Sequence, residues 1–431
     1  MNKKAEIKNR IDLINRGEVP EGYKKVHGYI IPNDWQITRF NKIFERITKK
    51  NDVGCKNVLT ISAQYGLINQ QEFFKKSIAS ADTSNYFLLN KNDFAYNKSY
   101  SAGYPFGTIK KMKLYEQGIV SPLYICFRAK PKLMNIDYIE QYFDANKFNS
   151  EILAIAQEGA RNHGLLNMSI DDFFNCNIVK PSQQEQEKIA KILKCCDKVI
   201  ELKEKLLEEK LNEKKYLMDK TFSKKYENNY QLKNLGTTFI GLSNKNKKDF
   251  GYGKPYIPYI NIFNNTFVDA SKLEYVNILQ NENQATVKYG DIFFTTSSEC
   301  PEEVGMTSVW LHNLAEVYLN SFCFGYRLND FKILIPEYAG YYFRSPNFRV
   351  VLNKLAQGVT RFNLSKNNLM EERISLPSLE KQKQIAKIFL KIDKQIKLIQ
   401  QELEQYKQLK KSLSQLLLTG IVRTVEVDCE N

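Results

Sequence analysis

At 431 residues the chain is long enough for two or three domains, each burying its own apolar surface. Lys and Arg total 63 against 48 acidic residues, and the net charge of +15 favours a polyanionic partner without identifying one. Aromatic residues at 12% exclude a disordered basic tail, because 25 Tyr and 26 Phe supply folded cores and stacking surfaces. The eight cysteines form no C-x-x-C pair, and the adjacent Cys195 and Cys196 point apart on a helix, so reduced thiols are expected. The charged start, Met1 to Arg10, has no apolar stretch behind it, and no run approaches the roughly 20 apolar residues of a membrane span, so a cytoplasmic protein is expected.

In chain order, residues 1–27 read as an N-terminal helical segment. Residues 28–180 alternate short apolar runs with Gly, Asn and Pro, as in Ser121-Pro-Leu-Tyr-Ile-Cys-Phe-Arg128, and read as a strand-rich globular head. Residues 181–225 carry apolar side chains at helical spacing and read as one long helix. Residues 226–375, with Gly290-Asp-Ile-Phe-Phe-Thr295, read as a second head, residues 376–425 as a second long helix, and 426–431 as a tail. The predicted fold class is α+β: two globular domains separated by two long helices.

The chain repeats itself. Pro181-Ser-Gln-Gln-Glu-Gln-Glu-Lys-Ile-Ala-Lys-Ile192 recurs 196 residues later as Pro377-Ser-Leu-Glu-Lys-Gln-Lys-Gln-Ile-Ala-Lys-Ile388. Held without gaps over residues 181–223, this register gives about 16 identities in 43 positions, Asp197/Asp393 and Leu217/Leu413 among them. The likeness extends upstream, where Tyr142-Phe143 and Phe148 face Tyr342-Phe343 and Phe348, and Asn167-Met-Ser169 faces Asn363-Leu-Ser365. The change of offset between these matches places an insertion near 161–165. Whole head-plus-helix units are therefore duplicated.

A helix of about 43 residues spans roughly 65 Å and needs a partner for its apolar stripe. The other copy is the natural partner, and a pseudo-two-fold relation requires the two helices to pair as an antiparallel coiled coil. Ile189, Ile192, Ile200, Leu207 and Leu217 are the candidates for the helix-pair and subunit interface on the first helix. Ile385, Ile388, Ile392, Ile396, Leu403 and Leu413 are those on the second.

The heads differ in charge, +5 over 28–180 and +1 over 226–375, so any DNA surface on the second must be local. In the first head the candidate phosphate contacts are Lys98, Lys110, Lys111 and Lys113, interleaved with Tyr100 and Tyr104 in a glycine-rich stretch. In the second they are Lys245, Lys247, Lys248 and Lys254. Arg161 and Arg361 follow the shared glycines Gly159 and Gly358 and are further candidates. For each of these the competing reading is a solvated surface charge or an arginine closing a strand end.

The two Pro-x-x-x-x-Gln-x-x-Ile-Ala-x-Ile helix starts at Pro181 and Pro377 resemble the specificity subunit of type I restriction-modification systems, over nearly the whole chain. So do the helix end Leu416-Leu-Leu-Thr-Gly420-Ile-Val-Arg423, the paired Asn92-Asp93-Phe-Ala-Tyr-Asn97 and Gly290-Asp291-Ile-Phe-Phe294, and the opening Val58-Leu-Thr-Ile-Ser-Ala-Gln-Tyr-Gly66. The resemblance implies a non-catalytic chain with one target-recognition domain per half-site of double-stranded DNA. It further implies docking to two methyltransferase (modification) subunits and to restriction/translocase subunits, which bring S-adenosylmethionine, ATP and Mg. The site is then expected to be bipartite, asymmetric because the heads differ, and divided by a spacer of fixed length.

Other chemistry is poorly supplied. The (Asn/Asp)-Pro-Pro-(Phe/Tyr) signature of amino-methyltransferases and a phosphate-cradling Gly-x-x-x-x-Gly-Lys-(Ser/Thr) are absent, and Phe250-Gly-Tyr-Gly253 reads as a turn. Asp197 followed by Glu201-Leu-Lys203 imitates a nuclease motif, but it lies on a helix face where alternating charge is expected. His27, His163 and His312 lack neighbours at zinc-ligand spacing. The rival reading is a coiled-coil adaptor with two protein-binding heads; a fragment of a fused restriction-methylation polypeptide is disfavoured by the self-contained double repeat.

Overall fold

The computed structural model describes residues 3–62, 65–73, 82–99, 103–156 and 166–424. The chain divides into two compact units, residues 1–202 with 403–431, and residues 203–402. The division runs through both long helices, so each unit takes one head together with half of each helix.

The helices are α1, Gln183–Phe222, and α2, Leu379–Leu418, each of 40 residues. Both start where the Pro-Ser signal places them. The Ser182 and Ser378 hydroxyls accept from the backbone N–H of Glu185 and Lys381 at 3.3 and 3.4 Å, which satisfies donors that a helix start leaves orphaned. The N-terminal helix is shorter than expected, Lys3–Asn15, and gives way to a hairpin of Tyr23–Val26 with Tyr29–Pro32.

In the first unit the central sheet is formed by β1 (Phe44–Arg46), β2 (Phe94–Asn97), β3 (Thr108–Lys111) and β4 (Ile125–Ala129), in the order β1-β4-β2-β3 and wholly antiparallel. Its core is aromatic: Phe40, Phe44, Phe94, Phe127, Phe143, Phe148 and Phe173 meet in tilted and edge-on contacts. Ile189 and Leu193 of α1 and Leu417 and Leu418 of α2 enter the same core. Within this unit the helices run antiparallel, since Arg423 beyond α2 binds Glu185 near the start of α1, whereas Lys410 binds Asp197 further along it. Glu185 is buried, and the Trp35 indole donates to it at 2.7 Å.

In the second unit β5 (Gly236–Ile240), β6 (Ile292–Thr295), β7 (Thr307–Val309) and β8 (Cys323–Leu328) repeat that sheet in the order β5-β8-β6-β7, again antiparallel. Leu207, Leu217 and Met218 of α1 line a core with Ile385, Phe389, Ile392 and Ile396 of α2. Lys203 pairs with Glu402 and Lys214 with Asp393, which fixes the antiparallel sense within this unit too.

Of the interface candidates on the two helices, Ile189, Ile200, Leu207, Leu217, Ile385, Ile392, Ile396, Leu403 and Leu413 are buried or half-buried. Ile192 and Ile388 lie off the buried stripe, at 37% and 54% exposed. After Ile189 and Ile385 the buried stripe continues four residues on, at Leu193 and Phe389. A step of three falls about 60° short of a full turn, and here that swings both isoleucines off the packed side.

The glutamine of the helix-start motif joins each head to its helix. Gln186, fully buried, donates to Pro181 O at 2.9 Å and accepts from the Asn135 N–H at 2.8 Å. Gln382 donates to Pro377 O at 3.0 Å and Ile333 O at 2.7 Å and accepts from the Ile335 N–H at 3.2 Å. Gln382→Ala leaves these buried backbone groups unpaired, at a cost of about 1–3 kcal/mol for each group stranded. The midpoint of the chain's denaturant unfolding is expected to fall accordingly, and an unchanged midpoint would remove the clip from the stabilising contacts.

Candidate nucleic-acid interface

Each head contains, at the same place, a buried aspartate paired with a partly exposed arginine. Before β2, Asn92 has φ +72°, and before β6, Gly290 has φ +87°. A left-handed residue turns the chain there, and Asn and Gly are the two types that tolerate it best. The next residue, Asp93 or Asp291, folds back to accept the N–H three residues earlier, from Asn90 or Lys288, at 2.7 Å in both heads. Each carboxylate, only 1% exposed, is forked by an arginine of the neighbouring strand. Arg128 lies at 2.6 Å through both nitrogens, and Arg327 at 2.8 and 2.6 Å. Burial raises the Asp291 carboxyl above its ordinary value while Arg327 pulls against that rise. The matched Asp residues were visible in the sequence and their arginines were not, although Phe127-Arg128 and Tyr326-Arg327 stand at corresponding positions.

Among the described residues, the predicted cations divide into those held by an acidic residue and those that are not. In the first head Lys111, whose side chain is 6% exposed, bonds Glu140 at 2.6 Å and Asp137 at 3.0 Å, and Lys110 bonds Asp144 at 2.7 Å. Lys113 also reaches Glu140. Burial works to raise the Asp137 carboxyl, but Lys194 and Lys111 outweigh it and hold the group below its ordinary value. In the second head Lys245 is covered and bonds Glu282 at 2.6 Å, while the exposed Lys254 bonds Glu316 at 2.5 Å. Lys110, Lys111 and Lys245 thus act as internal counter-ions, a correction to their reading as DNA contacts. Acidic residues on adjacent elements, which no local spacing reveals, have captured them.

Lys98 and Tyr104 are half-buried at the end of β2 and ahead of β3, and Lys247 and Lys248 stand exposed on a short turn capped by Asn246. Arg361 is exposed, its Nε donating to Ser297 Oγ at 3.2 Å. Tyr100, Arg161 and His163 lie outside the described residues. His312 is engaged by Val268 O at 3.0 Å and packs on Trp310. The nuclease-like trio is taken up by hydrogen bonds and ion pairs: Asp197 is held by Gln141 and Lys410, Glu201 by Lys198, and Lys203 by Glu402. Among the described residues the seven cysteines are free thiols.

Residues 224–408 match the family described as type I restriction modification DNA specificity domain. The type I restriction enzyme MjaVIII specificity subunit of Methanocaldococcus jannaschii is 26% identical over 94% of this chain and 96% of its own length. Two solved chains share the fold. One, from a structure concerned with complex assembly and conformational transition of the type I R-M system, aligns with a TM-score of 0.56 at 14% identity, covering 91% of this chain and 100% of that one. The other, the type I restriction-modification S subunit of M. genitalium, aligns with a TM-score of 0.50 at 14% identity over 91% of this chain and 97% of its own.

Proposed function

The chain belongs to the type I restriction-modification specificity subunits, and on that premise we propose that its two heads each read one half of an asymmetric bipartite DNA site. The observation that carries this reading is the contrast inside the repeat. The sheet order, the Asp–Arg pair and the helix-start glutamine recur in both units, whereas the intervening segments differ in sequence. One scaffold presenting two different surfaces suits a reader of two different half-sites.

The chain makes and breaks no bonds in this proposal. Adenine methylation belongs to two modification subunits carrying S-adenosylmethionine, and ATP- and Mg-dependent translocation and cleavage belong to restriction subunits, all working in the cytoplasm. Support for helix-borne docking comes from apolar side chains that the repeat leaves exposed at equivalent positions, Ile192 with Ile388 and Leu202 with Leu398. No helix among the described residues is long and apolar enough to cross a membrane.

Co-expression with the cognate modification subunit, followed by genome-wide mapping of methyladenine, tests the reading; the expected result is one two-part asymmetric motif with a constant gap, and its absence would refute the proposal. DNA binding by the full chain is expected to weaken by about 1,000-fold or more between 50 and 200 mM salt if some six phosphates are neutralised. A protein-binding adaptor would instead have little affinity for DNA at any salt.

A further inference from the structure

On the second head, three segments meet around an open cavity of about 410 Å³ lined by Tyr259, Ser297, Ser298, Glu299, Glu303, Phe322 and Arg361. The first is the run after β6. Ser297 and Ser298 pair with Asn363 and Phe362, and on the other side of that strand Asn363 and Leu364 pair with Gln357 and Ala356. The second is the hairpin loop Gly358-Val-Thr-Arg361. Gly358 has φ +136°, and a Cβ there would lie 2.1 Å from Arg361 O, so glycine permits the tight crossing that brings Arg361 over Ser297. The third is the turn before β8, where Phe322 N–H donates to Asn320 Oδ1 at 2.8 Å while Phe322 O accepts from Thr296 N–H at 3.0 Å and Thr296 Oγ1 at 2.8 Å. The turn is pinned, yet the Phe322 ring is 56% exposed.

The polar groups of this cavity are few and ordered. Arg361 uses Nε on Ser297 Oγ, which orients the guanidinium plane and leaves both terminal nitrogens without a partner among the described residues. Glu303 is engaged by Ser298 at 3.1 Å, and the backbone of its loop is held by Arg349, which donates to the carbonyls of Glu302, Val304 and Gly305. Glu299 is exposed, and its carboxylate has no partner among the described residues. Two carboxylates at one arginine make a poor phosphate site, because like charges repel the backbone. A base-pair edge is different: guanine offers two acceptors, O6 and N7, to a planar pair of N–H donors, and its cytosine offers an N4 donor to a carboxylate.

Resting on the reading of the heads as DNA readers, we propose that this cavity reads one G·C pair of the second head's half-site. Arg361 addresses guanine, Glu299 addresses cytosine N4, and Phe322 packs against the neighbouring base. Arg361 is the specificity-determining residue, and Ser297 is its positioning residue.

The test uses the full chain co-expressed with its modification subunit, comparing methyladenine maps of the wild type, Arg361→Ala and Glu299→Gln, with co-purification of the subunits as the check on folding. The expected result is that Arg361→Ala relaxes one G·C position in one half-site only, with preference for that pair falling about 10- to 100-fold, and that Glu299→Gln alters preference at the same position. An unchanged motif in Arg361→Ala overturns the proposal. So does loss of methylation that is uniform across sequences while co-purification persists, since that marks a phosphate contact. If Arg361→Ala fails to co-purify, Glu299→Gln decides: a change at no position, or at an A·T pair, overturns the assignment. A wild type without any bipartite motif would instead sink the reading on which the inference rests.

Discussion

Replacing Arg327 by alanine is expected to destabilise the second head by about 3 kcal/mol, because it leaves the Asp291 carboxylate buried without its counter-charge. Arg327 also donates to Thr286 O at 2.8 Å and lies 4.7 Å from the Phe239 ring centroid, so packing is lost with the charge. The loss should depend on pH in a definite sense. Burial already raises the Asp291 carboxyl, so its contribution favours folding at pH values below that of an unfolded aspartate and is lost as pH rises through the folded value. Without Arg327 that rise grows. The gap in stability between variant and wild type should therefore be widest near neutrality and narrow as the carboxyl protonates towards pH ~4. Urea unfolding of the two proteins across that range checks it, and a gap independent of pH would mean that the pair contributes through shape alone.

The second large effect concerns the spacer. Removing seven residues from each helix around the Lys203–Glu402 pair takes out about two turns, or roughly 10 Å, while nearly preserving the phase of both apolar stripes. If the helices measure out the gap, the methylated motif should keep both half-sites and lose about three base pairs of spacer. Methylation of the original site should then drop by about 100-fold or more, as expected when the two half-sites no longer fit one protein. Intact spacing with altered half-sites in the methyladenine map would remove the helices from that role.

How much of this was legible beforehand depended on the range over which each signal acts. Helix starts are local, and Pro181-Ser182 and Pro377-Ser378 announced them within two residues. The repeat is a comparison of the chain with itself, so Asp93 and Asp291, or Ser169 and Ser365, could be matched without any knowledge of the fold. Ser169 and Ser365 do cap equivalent short helices, accepting from Asp172 and Asn368 at 3.0 and 3.3 Å. What stayed hidden was the pairing of distant residues. Lys111 and Lys245 look like surface cations until Glu140 and Glu282 are brought beside them, and Arg128 looks like a strand terminus until Asp93 lies across the sheet. The shift of the buried stripe from Ile192 to Leu193 and from Ile388 to Phe389 was equally illegible, because periodicity fixes the spacing of a stripe better than the side on which a head will dock. The cavity beside Arg361 assembles three segments separated by tens of residues, and only the glycine before Arg361 hinted at it.

The unit that holds the first head is discontinuous. Leu417 and Leu418 fill its core, Tyr23 donates to Gly420 O at 2.5 Å, and Arg423 closes on Glu185 and Asp34. The second unit, residues 203–402, is one unbroken stretch of 200 residues. On the ribosome the usual order is thereby reversed. The later-made head has every residue it needs once Glu402 has emerged, whereas the earlier-made head must wait through the synthesis of the whole second unit, roughly 10–40 s at ordinary elongation rates, for the residues that complete it. A released chain truncated after Glu402 should hold a protease-resistant second head beside a first head still open to cleavage.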